Sequence, residues 1–426
     1  MSSAPGPATR SRRDAVGASS VAAASLWSAL VTYVVMSVAA WALPQDRATI
    51  LLTFLALLFA VYGVLSGVAL ETTRAVAAAD RDGDASGPQL WRVAAVVSLC
   101  AAVAVLALTP LWREGVLHGG DGTLVVTLVA AVGGYGVHSV VVGAAAGRGW
   151  WSQAAVVISG EVTLRLVATL GVVLVGATVT SMGVASALGA FAWLLLVVAS
   201  GRVRCTLTLR TDAPAMSMAR RMAAALVAQG SSAVLVVGFP ILLASTTDRV
   251  EYAAAAPLLL AISLTRAPVL LPLNALQGVA VSHLVRAGTG LGRLLVRLLA
   301  LVAAVAVAGA GAAWLIGPWL MQLLFGQDYA VDAMVLALLT LAAGGTAALT
   351  LTGACAQALT AHSWYVAGWV VALVACVLLL QAPGSMAARS CLALGLAPLV
   401  GLVVHVTGLM TIRRSARADR SELADA

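Results

Sequence analysis

Charged side chains are scarce in this sequence, so the few that fall inside long apolar runs are the ones with chemistry to do. Glu161 and Arg165 stand at i and i+4, one helical turn apart on the same face, where they can pair with each other. They suit either an intrahelical ion pair or a substrate and proton role, with Glu161 the first candidate for carrying a coupled proton. Arg266 lies about 13 residues into its own apolar run, near mid-bilayer at roughly 1.5 Å per residue. In Thr265-Arg266-Ala267-Pro268 it is followed by Pro268 and then Pro272, and each proline frees a carbonyl from the helix ladder. A broken helix carrying a cation at that depth is a candidate anion site; the same arginine also suits pairing with freed carbonyls to hold a kink.

Weaker polar signals surround these three. His138 follows Gly133, Gly134 and Gly136, which permit close helix approach, and is a second candidate for proton coupling or a packed structural histidine. Asn274 and Gln277 could extend a polar stripe beyond Arg266, and Ser25, Ser28 and Thr32 form a similar stripe near the N-terminus; small polar residues of this kind also serve interhelical hydrogen bonds. His283 and His405 are expected at the membrane interface. Five scattered cysteines (Cys100, Cys205, Cys355, Cys376, Cys391) form no Cys-x-x-Cys pair and have no histidine at ligand spacing, so neither a zinc site nor a disulfide framework is indicated. No cofactor is called for.

The elements that must position these residues are membrane spans. Of 426 residues 61% are hydrophobic and 10% charged, against roughly 25% charged in a soluble domain. The fold class expected is an all-α polytopic membrane protein of about twelve transmembrane helices. Six spans, near 16–42, 49–70, 92–111, 122–146, 150–177 and 182–200, make an N-terminal lobe covering 16–200 behind a cytoplasmic segment 1–15. A cytoplasmic linker, 201–221, leads to a C-terminal lobe at 222–411, with spans near 222–246, 253–284, 295–325, 333–358, 363–381 and 390–411. Residues 412–426 form a cytoplasmic tail.

Every basic residue is Arg, and placing both termini inside puts nineteen of the 25 in cytoplasmic segments, which the positive-inside bias favours. That distribution explains the net charge of +8 without nucleic acid as a partner. The expected location is the plasma (inner) membrane. External loops are all short, leaving no room for the catalytic residues of a membrane glycosyltransferase or polymerase, so the chain is expected not to be an enzyme. An even number of spans per lobe makes the halves parallel repeats; Asp46-Arg47 before the second span is echoed by Asp248-Arg249 before the eighth.

Two short motifs carry a resemblance. Leu324-Phe325-Gly326-Gln327-Asp328-Tyr329, entering the tenth span, resembles a Leu-Phe-Gly-x-x-Tyr element, with Gly326 ending a helix, Asp328 facing outside and Tyr329 at the interface. Leu70-Glu71-Thr72-Thr73-Arg74 closes the second span. With the six-plus-six layout, the chain resembles the polysaccharide flippases of the multidrug, oligosaccharidyl-lipid and polysaccharide exporter superfamily. That resemblance implies two six-helix lobes around a central cavity that opens alternately to each side, carrying a lipid-linked sugar whose tail stays among membrane lipids. It implies cavity cations that hold the phosphate or pyrophosphate; Arg266 and Arg165 are the candidates, because guanidinium forks suit phosphate. Polysaccharide-assembly proteins would be partners. A multidrug or cation antiporter of the same superfamily and a non-transporting scaffold are the alternatives.

Overall fold

A computed structural model describes residues 7–117, 121–266, 291–359 and 361–425. The candidate residues Asn274, Gln277 and His283, with Pro268 and Pro272, lie outside the described residues. Two compact units divide the chain, Met1–Ala233 and Val234–Ala426; the division falls inside one helix, beyond the linker expected at 201–221.

The first unit holds α1 (Pro7–Ala42), α2 (Gln45–Asp82), α3 (Leu90–Ala107), α4 (Thr109–Leu117), α5 (Gly122–Gly147), α6 (Trp151–Val175), α7 (Val179–Leu188), α8 (Ala192–Ala199), α9 (Gly201–Thr206) and most of α10 (Ala215–Val236). The second holds α11 (Phe239–Thr246), α12 (Arg249–Tyr252), α13 (Ala256–Arg266), α14 (Leu291–Phe325), α15 (Ala333–Ala358), α16 (His362–Leu379) and α17 (Met386–Asp425). Ten described helices are long and apolar enough to cross a membrane, and α10 with α11 makes a broken eleventh. The apolar α13 runs into the undescribed part of the expected eighth span. The molecule is an all-α, multi-pass membrane protein, as composition requires: in hydrocarbon each backbone polar group must be satisfied within its own helix.

Sequence sets the helix ends. Asp121 caps α5 by accepting from the Thr123 amide, Asp332 caps α15 by accepting from Met334, and Thr178 with Ser181 forms a reciprocal cap on α7, each satisfying amides that a first turn leaves without partners. Gly326 adopts φ 102° directly after α14, the termination read from the Leu-Phe-Gly-x-x-Tyr motif. Tyr329 is buried within the protein at 4% exposure, on the short 3-10 turn Gln327–Tyr329.

The span expected at 182–200 is present as Val179–Ala199, with a 3-10 turn at Gly189–Phe191 inside it, and that expected at 222–246 is bent by 63° between Val236 and Phe239, where Pro240 opens α11. Hydropathy does not register either interruption, since the residues at the breaks are as apolar as their neighbours. His405 is fully buried in the second unit, its ring nitrogens within 3.2 Å of Thr352 Oγ1 and 3.0 Å of the Tyr365 carbonyl.

Small residues set the packing. On α5, Gly143 and Gly147 repeat at a four-residue interval against α2; a methyl at Gly143 would lie 2.5 Å from the Ala69 carbonyl oxygen, so only glycine permits the approach. Near the far end of α2, Arg74 pairs with Glu71 and donates from Nη1 to Asp212 at 3.0 Å, while Arg221 donates to the same carboxylate at 3.2 Å. The Arg74 guanidinium, seconded by Arg221, holds the Asp212 carboxyl below its usual range. This clasp fixes the α9–α10 connection against α2.

Two outcomes follow. Gly143→Val should lower the stability of the detergent-solubilised protein by about 1–3 kcal/mol through overpacking; an unchanged thermal midpoint would show that the crossing tolerates a side chain. Because the Asp212 carboxyl titrates lower folded than unfolded, its contribution is complete above the ordinary carboxylate value of about 4 and is lost only as pH falls through its own depressed range. Amide exchange at Thr211 should therefore stay slow down to about pH 4 and speed up below it, and Asp212→Asn should abolish that step.

Candidate functional site

In the first unit, the middle of α6 carries an ion pair whose two members are both buried. Glu161 and Arg165 are 5% and 4% exposed, and Arg165 Nη2 donates to Glu161 Oε1. The i, i+4 spacing read from the sequence thus produces the pair directly. Around it α2 contributes Phe59, whose ring centroid lies 4.5 Å from the Arg165 guanidinium carbon, a cation–π contact. Tyr62, one turn further along α2, stacks on Tyr135 of α5 at 3.7 Å between centroids, and Tyr135 stacks on His138 at 4.8 Å. Both tyrosines and His138 lie within electrostatic range of Arg165.

The break in the following span explains how the pair fits. The 3-10 turn places Gly189 against α6: a methyl there would stand 2.7 Å from the Glu161 carbonyl oxygen and 2.9 Å from its carboxylate. No side chain larger than hydrogen allows the turn to close on the pair.

Satisfaction of this cluster is incomplete. Among the described residues, Arg165 Nε, Tyr62 Oη, His138 Nδ1, Thr169 Oγ1 and Ser186 Oγ are buried with no hydrogen-bond partner. Buried polar atoms are usually paired, so each of these calls for a partner such as an ordered water.

Arg266 lies in the second unit and is half-buried at the end of α13. Its Nη1 donates to the Val236 carbonyl, the last residue of α10, and its guanidinium carbon sits 5.9 Å from the Phe239 ring centroid. The arginine therefore meets the carbonyl end of a broken helix, where a cation is favoured by the helix dipole. Glu161, Arg165 and His138 are brought together; Arg266 belongs to the other unit. Ser25 is exposed on α1 and donates to its own helix at Val21, while the half-buried Ser28 offers its carbonyl to Thr32. Phe59, Tyr62, Tyr135 and Gly189 were missed in the sequence. Aromatic pairs at i, i+3 (Phe59 with Tyr62, Tyr135 with His138) in a chain only 5% aromatic were the available signal.

The fold is that of MATE transporters. A multidrug resistance MATE family transporter of the MOP superfamily in an inward-facing conformation superposes with a TM-score of 0.71 at 13% identity, covering 91% of this chain and 96% of that one. An outward-facing conformation of such a transporter gives 0.64 at 14% identity over 94% and 96%. A MOP superfamily transporter from Pyrococcus furiosus, described as having a binding pocket of reverse polarity that suggests a different function, gives 0.65 at 15% identity over 93% and 95%. No protein-family model matches the chain. In sequence it is 36% identical to the uncharacterized protein Rv1510 of Mycobacterium tuberculosis, over 91% of this chain and 90% of that one, and 34% identical to the uncharacterized protein Rv3630 of the same organism, over 91% of each. The chain belongs to the family of these mycobacterial proteins.

Removing one member of the buried pair strands the other. Glu161→Gln alone should destabilise the protein by about 3–5 kcal/mol, and Glu161→Gln with Arg165→Met should recover most of that. Thermal unfolding in detergent checks this; a single variant no worse than the double would show that the two charges are not coupled.

Proposed function

We propose that this protein is a transporter that moves a lipid-linked oligosaccharide or polysaccharide precursor from the cytoplasmic to the external leaflet by alternating access. In this reading it sits in the plasma membrane with both termini cytoplasmic, and polysaccharide-assembly proteins supply and receive its cargo. The observation that carries the proposal is the buried Glu161–Arg165 cluster, with its orphaned polar atoms, inside a fold shared with transporters seen in inward- and outward-facing conformations. A scaffold has no use for a charged pair that is expensive to bury and half satisfied.

The pair is electrically neutral as it stands, and its chemistry follows from that. An arriving phosphate would compete with the Glu161 carboxylate for the Arg165 fork; a proton on Glu161 would release the same guanidinium. Either event changes the charge state of the site; His138, whose ring stacks on Tyr135, is a second candidate for holding the proton. Arg266 supplies a second guanidinium in the other unit, anchored by one nitrogen to a helix end. Cargo of the opposite sign is the competing reading, supported by the fold's occurrence in a multidrug resistance transporter and by the buried acid Glu161.

Proteoliposomes loaded with a fluorescent lipid-linked oligosaccharide test the proposal. The wild type should transport it; movement of ethidium-like cations instead would establish the antiporter reading, and movement of neither the scaffold. Arg266→Ala should insert normally and transport at least about tenfold more slowly, as expected for losing a hydrogen bond to a charged group. Arg266→Lys should restore only part of the rate, because an ammonium lacks the fork. Full activity in Arg266→Ala would remove this residue from the phosphate site.

A further inference from the structure

A second feature of the first unit lies on the other side of α2. A cavity of about 740 Å³ runs between α2, α3 and α10, within the roughly 300–1,000 Å³ typical of small-molecule sites. Its floor is Val61, Val64 and Leu65 of α2; one wall is the face of α3 from Arg92 to Val105, the other the face of α10 from Ala215 to Leu226. Thirteen residue steps along α3 make it about 20 Å long. Val96, Cys100 and Ala104 on its α3 wall are exposed, so the recess is an open groove rather than a sealed void.

Three properties define what fits. The lining is aliphatic along its length, with alanines making the space and Met218 and Met222 giving one wall side chains that adapt to an irregular guest. Arg92 is the one charged residue in the lining and lies at one end. Its guanidinium carbon is 5.3 Å from the Trp91 ring centroid, and it makes no ion pair among the described residues. A long apolar channel ending in an uncommitted guanidinium is complementary to a long hydrocarbon tail ending in a phosphate.

We infer that this groove binds the tail of the lipid-linked cargo as it enters, a polyprenyl-type chain along α3 and α10 with its phosphate at Arg92 before that phosphate passes to the arginines of the transport site. The inference rests on the transport reading and deepens it: the groove holds the tail of a molecule whose sugar is handled elsewhere. Arg92 lies at the end assigned above to the cytoplasm, where such a cargo would enter, and α2 separates the groove from the polar cluster. Val61, Val64 and Leu65 lie on one face of that helix and Phe59 and Tyr62 on another, as 100° per residue requires.

Cys100, on the α3 wall and exposed, is a native reporter, and the exposed Cys205 on α9 lies outside the lining and serves as control. The chain, in nanodiscs of phosphatidylethanolamine, is treated with a membrane-permeant methanethiosulfonate, and modification of each cysteine is followed by peptide mass spectrometry. A long-chain polyprenyl monophosphate should slow modification of Cys100 about fivefold or more and leave Cys205 unchanged, as mass action at a saturated site requires. Arg92→Gln should raise the concentration needed by about tenfold. Equal protection by phosphatidylglycerol at the same mole fraction would mean ordinary annular lipid and overturn the inference, as would unaltered potency in Arg92→Gln. Protection of Cys100 in a protein that moves no lipid-linked sugar would leave the groove standing and sink the transport reading; transport without protection of Cys100 would do the reverse.

Discussion

Charge inside a hydrocarbon-thick protein has to be neutralised locally, and much of the polar architecture follows from that constraint. Coulomb attraction that is weak in water becomes strong where water is excluded, but each ion first loses its hydration. The chain meets this in different ways. Glu161 and Arg165 pair within one helix turn, and Arg266 takes the carbonyl end of α10. These are different bargains. An arginine on a helix end uses partial charges the backbone already provides; a Glu–Arg pair must bury two full charges and keep them together.

That difference explains why the break at Gly189 matters more than its sequence suggests. An uninterrupted helix from Val179 to Ala199 would carry its side chains past α6 at ordinary helix spacing. The 3-10 turn instead brings backbone without a side chain onto the pair, excluding bulk water while leaving several polar atoms of the cluster unsatisfied. Low local dielectric strengthens whatever bond is made there and penalises whatever is left unmade, so the cluster responds strongly to a single added proton or anion.

Much of the fold was legible because hydrocarbon thickness imposes a length on apolar runs, and the runs expected at 49–70, 122–146 and 150–177 correspond to α2, α5 and α6. The Glu161–Arg165 pairing was legible for the same kind of reason, since i, i+4 geometry is local. What could not be read was tertiary. Hydropathy is blind to a 3-10 turn or a bend made of apolar residues, as at Gly189–Phe191 and Val236–Phe239, and sequence position says nothing about the helices that close over His405. The aromatic wall of the site comes from α2 and α5, about 75 residues apart in the chain for Tyr62 and Tyr135; only packing brings them into one stack. The α2–α3–α10 groove is likewise invisible in one dimension, for a run of Ala and Val reads the same whether it fills a contact or leaves one open.

The abundance of small apolar side chains, Ala and Gly above all, therefore has a structural consequence. Small side chains let α5 approach α2 at Gly143 and Gly147, and small side chains on α3 and α10 hold those helices apart from anything that would fill the groove between them. Interhelical contact in lipid is driven by packing rather than by release of water, so an unfilled apolar groove is not penalised there as it would be in water: hydrocarbon from the surroundings can occupy it. Selectivity for one hydrocarbon over another must then come from the polar end. This places the burden on Arg92, the one charged side chain in the lining of the groove.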